Sequence, residues 1–125
     1  MTKRLLIVDD EESILVGMKR YFRSRGYEVD CATEREEAEA LLSHVPYACV
    51  IADLCLRAGH GADGLDVVAY VGARQPQTPV VVLTAYGSPA AEAEAGRLGA
   101  SVFLSKPQPL ERLAEVVGGL VGSRS

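Results

Sequence analysis

Five apolar runs, each only four or five residues long, recur along this 125-residue chain with segments of helical period between them. The runs are Arg4 to Val8, Tyr27 to Cys31, Ala48 to Ala52, Val80 to Leu83 and Ser101 to Leu104. Several have no alternation of polar and apolar positions, which a strand with one wet face would show, so both faces of those strands must be covered. Covered strands of this kind belong to parallel sheets, and the intervening segments supply the cover. Ile14, Leu15, Met18 and Phe22 form one apolar helix face, Ala38, Leu41 and Leu42 a second, and Leu65, Val68 and Val71 a third. Ala91, Ala95 and Leu98 make a weaker fourth face, and Leu110, Leu113, Val117 and Leu120 a clear fifth. The expected fold is a doubly wound α/β domain of (βα)5 type. Gly26 can stop the first helix, Pro46 precedes the third strand, and Pro79 and Gly99 precede the fourth and fifth. The Gly- and Ser-rich tail from Gly118 to Ser125 reads as frayed, with residues 1–121 as the domain and 122–125 as a flexible tail or truncation point.

Composition narrows the function classes. With 48% hydrophobic residues, a formal net charge of -4 and a pI near 5.2, the chain reads as globular, with no basic cluster to capture nucleic acid or an anionic membrane. Its apolar stretches fall far short of the roughly 20 residues that span a bilayer. The start MTKRLLIVDDEE meets charge too early for a signal peptide, so a cytoplasmic location is expected. Cys31, Cys49 and Cys55 lack paired spacing and read as reduced thiols, while His44 and His60 lack the partners of a metal site.

The polar residues that close the apolar runs carry the chemistry. Asp9 and Asp10 follow LLIV, Asp53 follows ACVIA, Thr84 ends PVVVLT, and Lys106 follows SVFLS. Singly, each has an ordinary explanation: a helix N-cap pair, a turn former, a β-branched strand residue and a surface lysine. Together they mark the carboxyl ends of the strands, where open α/β sheets place their ligands. If the first and third strands are neighbours, three carboxylates share one crevice, and such a cluster implies a hard divalent cation. Mg²⁺ suits these oxygen donors, with a backbone carbonyl from the loop after Asp53 to complete the protein's share.

From about Lys3 to Val121 the chain resembles a response-regulator receiver domain of two-component signalling. The matching segments are LLIVDD, VIADL, VVLTA and VFLSKP. The resemblance implies the strand order 2-1-3-4-5, Asp53 as phosphoacceptor and Mg²⁺ held by Asp9, Asp10, Asp53 and the Cys55 carbonyl. It further implies Lys106 as the ammonium at the phosphoryl oxygens, Thr84 as the switch hydroxyl, Phe103 as the switch aromatic and a cis Lys106-Pro107 bond. The implied phosphodonor is a sensor histidine kinase or histidine phosphotransfer protein, docking on the first helix through Ile14, Gly17, Met18 and Tyr21 and on the loop after the fifth strand. Such a module catalyses its own phosphorylation and slow dephosphorylation, and acts as a signal rather than a turnover enzyme.

The segment LCLRAGHGADG departs from that pattern, with no proline and about three extra residues before Gly64. Other readings are a phosphorylation-independent interaction module or an aspartyl-phosphate phosphatase. The phosphatase needs a second acid two residues beyond the nucleophile, where this chain has Cys55. An FMN carrier is disfavoured because DDEES after the first strand repels phosphate. Cys55 and Tyr86, which border the path of attacking water in the family, offer no carboxylate or amide to position it, so a long-lived acyl phosphate is expected. The chain reads either as a single-domain regulator that docks on a target or as the excised receiver of a larger protein with an output domain, and the fourth helix offers no charge pairs that define a dimer.

Overall fold

The structure, a computed structural model, describes residues 2–54, 63–85 and 87–122. Strands and helices alternate as β1 (Arg4–Val8), α1 (Glu12–Ser24), β2 (Glu28–Ala32), α2 (Arg35–His44), β3 (Cys49–Ala52), α3 (Asp63–Arg74), β4 (Val80–Thr84), α4 (Pro89–Arg97), β5 (Val102–Ser105) and α5 (Leu110–Gly122). All strand pairs are parallel and the order is β2-β1-β3-β4-β5, the doubly wound (βα)5 sheet expected. No described helix is long and apolar enough to cross a membrane.

Side chains on successive strand residues point to opposite faces, which divides the core into two layers. Leu5, Ile7, Ile51, Val81 and Leu83 meet Leu15, Met18 and Phe22 of α1 and Leu113 and Val117 of α5. Leu6, Val8, Val50, Val80 and Val82 meet Ala38 and Leu42 of α2, Val67, Val68 and Val71 of α3 and Ala95 of α4. Every residue of β3 and β4 is buried, as their continuous apolar character requires. The helix faces sit close to those expected, with Val67 inside while Leu65 lies at the margin, and Ala114 and Val121 buried while Leu110 and Leu120 are half-covered.

Boundary shifts have identifiable causes. Tyr27 lies outside β2 because its N–H donates to the Phe22 carbonyl at 3.1 Å and closes the end of α1. Gly26 makes that turn with φ +98°, in the left-handed region that glycine enters at least cost. β4 runs on to Thr84, which pairs with Ser105 and accepts the Lys106 N–H at 2.9 Å. The expectation of fraying from Gly118 is corrected: α5 continues to Gly122, because Val117 and Val121 both pack into the core. Residues 123–125 lie outside the described residues. At the end of the sheet remote from the acidic residues, the Gln75 amide donates to the Leu42 and Val45 carbonyls at 3.0 and 2.6 Å. Its oxygen accepts the Tyr47 N–H at 3.0 Å, tying the loops before β3 and β4 together.

Burial of titratable side chains makes stability depend on pH. Burial pushes the fully enclosed Cys49 thiol from its ordinary 9.0 up to about 12. The unfolded chain releases that proton at lower pH than the folded one, so stability falls as pH climbs above about 9, by at most about 1.4 kcal/mol per unit. Tyr27, Cys31 and Tyr47 are raised by burial in the same direction. Urea unfolding at about pH 8 and about pH 10 should therefore show a smaller alkaline loss in Cys49→Ala than in the wild type. Equal losses in both would contradict this account.

Candidate functional site

The acidic residues meet because β1 and β3 are adjacent and end in register, with Val8 opposite Ala52. Hydrogen bonds beyond the strand ends fix their backbones. The Asp9 N–H donates to the Ala32 carbonyl at 3.0 Å, and the Asp53 N–H donates to the Val8 carbonyl at 2.9 Å. Asp9 is 3% exposed and Asp53 6%. The helix N-cap explanation fails for Asp9 and Asp10, since Glu11 is the residue preceding α1. One Asp9 oxygen accepts the Glu11 N–H at 2.9 Å, leaving the other to face the crevice group described next.

Lys106, just past the end of β5, reaches across the top of the sheet. Its ammonium donates to Asp9 Oδ2 at 2.7 Å and to Asp53 Oδ2 at 2.9 Å. Burial pulls the lysine pKa down, but hydrogen bonds to Asp9 and Asp53 and their negative charges outweigh burial and leave it above its ordinary value. The lysine is thus held charged. The Lys106-Pro107 peptide bond is cis.

Oxygens of Asp9, Asp10 and Asp53 all lie within 4.8 Å of one another. One ammonium offsets only one of three carboxylate charges, and repulsion among the remainder favours a further cation. Three carboxylate oxygens so close together, without a soft sulfur or nitrogen donor among them, fit a small hard divalent ion.

Thr84 ends β4, the neighbour of β3, with its side chain fully buried. Phe103 lies on β5 opposite Val82 and is half-buried against the layer formed by α2, α3 and α4. The structure therefore brings Asp9, Asp10, Asp53 and Lys106 into one cluster and sets Thr84 and Phe103 on the two adjoining strands. Cys55, Tyr86 and the longer loop after Asp53 lie outside the described residues.

Two glycines matter in ways that spacing did not announce. A Cβ on Gly64 would sit 2.3 Å from the Asp53 carbonyl oxygen and from Leu54 Cα, and one on Gly87 would sit 2.8 Å from Phe103 Cε1. The position of Gly64 at a helix start was legible, but its closeness to the Asp53 backbone depends on how α3 returns over β3.

A family model described as the response regulator receiver domain matches residues 5–118. The response regulator protein PilR of Pseudomonas aeruginosa is 38% identical over 115 residues, which is 92% of this chain and 25% of that protein. This chain spans from about a quarter to about half the length of the first curated relatives it matches, 25% to 55%. Among solved structures, a Burkholderia pseudomallei response regulator with a phosphorylated aspartic acid, calcium ion and citrate superposes with a TM-score of 0.86 at 29% identity, over 98% of this chain and 70% of that one. The beryllofluoride-activated NtrC4 receiver domain dimer gives a TM-score of 0.88 at 30% identity, over 99% of this chain and 100% of that one.

Proposed function

The chain belongs to the response regulator receiver domain family and is a phosphoryl-accepting signalling module, and from that premise we propose that Asp53 is the acceptor. The observation that carries the assignment is the Lys106 ammonium bridging Asp9 and Asp53 beside the Asp10 carboxylate. A carboxylate oxygen of Asp53 attacks phosphorus, the bond from phosphorus to the donor's nitrogen or oxygen breaks, and the donor keeps that electron pair. The product is an acyl phosphate. Lys106 is already charged and within reach, so its ammonium can pass from the carboxylate to the phosphoryl oxygens as negative charge moves onto them. Thr84 then donates its hydroxyl to a phosphoryl oxygen, and Phe103 follows the loop after β4. Asp9, Asp10 and Asp53, with the Cys55 carbonyl, are the residues we assign to Mg²⁺, which when bound supplies positive charge to the transferring oxygens.

Incubation with a small acyl-phosphate donor in Mg²⁺ is expected to add one phosphoryl group, found on Asp53 by mass spectrometry. Excess EDTA should suppress it. Equal labelling in EDTA, or a label elsewhere, would overturn the assignment.

For the natural donor, a histidine kinase or histidine phosphotransfer protein, we assign a docking surface on α1 and the β5–α5 loop. An apolar cavity of about 370 Å³ lies there, with Ile14, Met18, Leu83, Ala85, Pro107 and Leu110 among its lining residues and Lys106 at its border. Met18, a contact expected from sequence, lines that cavity but is 4% exposed and packs into the core, so it offers a partner little surface. Gly17 remains: it is exposed, and a Cβ there meets nothing within 4 Å in this chain. Gly17→Gln should therefore slow transfer from the cognate kinase by about tenfold, equivalent to about 1.4 kcal/mol, while small-donor labelling is unchanged. An unaltered kinase rate would remove α1 from the docking surface.

A further inference from the structure

Gly87 stands three residues beyond Thr84 and immediately before Ser88, whose side-chain oxygen accepts the Ala91 N–H at 3.1 Å and caps α4. Its backbone is not in the left-handed region, since the positive-φ glycines among the described residues are Gly26 and Gly99. Conformation does not demand glycine here; space does. A Cβ at this position would lie 2.8 Å from Phe103 Cε1, 3.2 Å from Phe103 Cζ and 3.5 Å from Thr84 Cγ2. The edge of the Phe103 ring and the methyl of Thr84 thus converge on the one face of Gly87 that carries no side chain.

We propose that Gly87 is the seat of the Phe103 ring, a positioning residue that couples the ring to the loop joining Thr84 to the capped start of α4. The proposal rests on the reading of Thr84 and Phe103 as the switch pair. A side chain at 87 must displace something, and the near atoms are the far end of a side chain that turns about its own torsions rather than fixed backbone. The ring is therefore the part that yields. It has room to do so, because a cleft of about 220 Å³ lined by Glu92, Gly96, Ala100, Ser101 and Phe103 itself opens between α4 and β5. With glycine at 87 the ring's position depends on where the loop lies, so a shift of Thr84 toward a phosphoryl group moves the seat. With alanine the ring is evicted whatever the loop does.

The chain has only two phenylalanines, which makes the ring directly observable. Phe22 is fully buried between Tyr21 and Tyr27 on the other face of the sheet and serves as an internal reference. In protein labelled with ring-¹³C phenylalanine, Gly87→Ala without phosphodonor should shift the Phe103 signals and leave those of Phe22 in place. On phosphorylation with a small acyl-phosphate donor, the wild-type Phe103 signals should move, and Gly87→Ala should lose that response although Asp53 carries the label. Phe103 signals that coincide in wild type and Gly87→Ala would overturn the proposal. If both phenylalanines shift in the variant, unfolding measurements in a Phe103→Leu background decide, since leucine lacks the atoms that crowd Gly87. There, the midpoint loss caused by Gly87→Ala should fall to less than half; an undiminished loss would overturn the seat. A wild type that takes the phosphoryl group without moving Phe103 defeats the switch reading instead, and the comparison of unphosphorylated proteins still tests the contact itself.

Discussion

Asp53→Asn is expected to fold as the wild type does and to lose phosphoryl acceptance almost completely. The side-chain shape is kept, so the buried site is neither emptied nor overfilled, but an amide oxygen is a poor nucleophile and gives no stable acyl phosphate. Lys106 does not lose its anchorage, because Asp9 still accepts its ammonium at 2.7 Å. The substitution also removes one of three crowded carboxylates, which lowers mutual repulsion in the absence of metal. Stability should consequently be unchanged or raised, while labelling by a small donor falls at least about 1,000-fold, roughly 4 kcal/mol of barrier. Labelling within a few fold of wild type would place the acceptor elsewhere, with Asp9 and Asp10 the first residues to search by mass spectrometry. Asp10→Asn provides the contrast. It keeps the acceptor and the lysine bridge, so it should weaken Mg²⁺ binding in calorimetry and shift labelling to higher Mg²⁺ without abolishing it.

The parts of this site that were legible in the sequence are those dictated by strand termination. Continuous apolar runs such as CVIA and VVVL must be buried on both faces, and the polar residue that stops each run must lie at a sheet end. Asp9, Asp53, Thr84 and Lys106 were readable for that reason. Their convergence was not, because it requires β1 beside β3 and β4 beside β5, an order that came from family resemblance and that the sheet adopts. Local hydrogen bonds set what the pattern left open: the turn at Tyr27 moved the start of β2 to Glu28, and the Lys106 N–H lengthened β4. The glycine-rich end of α5 misled in the other direction, since low helix propensity at Gly118 and Gly119 gives way to burial of Val117 and Val121. Met18 was ambiguous on periodicity alone, and packing against the sheet assigns it to the core.

Gly64 shows why steric demands at a site escape sequence patterns, and its replacement should have the largest effect on stability. Helix propensity predicts that Gly64→Ala near the start of α3 stabilises, by up to about 1 kcal/mol. Packing predicts the reverse. The Gly64 N–H donates to the Leu54 carbonyl at 3.2 Å, which draws the first turn of α3 down onto the end of β3. An added Cβ would lie 2.3 Å from both the Asp53 carbonyl oxygen and Leu54 Cα, and 2.6 Å from the Leu54 oxygen. Unlike the ring that crowds Gly87, these are backbone atoms of a residue pair fixed by the sheet, with the Asp53 N–H bonded to Val8. They cannot rotate away, so α3 must retreat or the strand end must move. Overpacking against yielding side chains costs about 1–3 kcal/mol, and against fixed backbone the cost should reach or pass the upper figure. That exceeds the propensity gain, so the net expectation is a loss of at least about 2 kcal/mol, or roughly 6 °C or more in Tm for a domain of this size. Because relief moves the Asp53 carbonyl, phosphoryl acceptance should fall in the molecules that remain folded. Gly17→Ala is the matched control, an exposed helical glycine whose Cβ meets nothing within 4 Å, and it should hold or raise Tm. If Gly64→Ala were as stable as Gly17→Ala and labelled normally, the close approach of α3 to the acceptor strand would not be what positions Asp53.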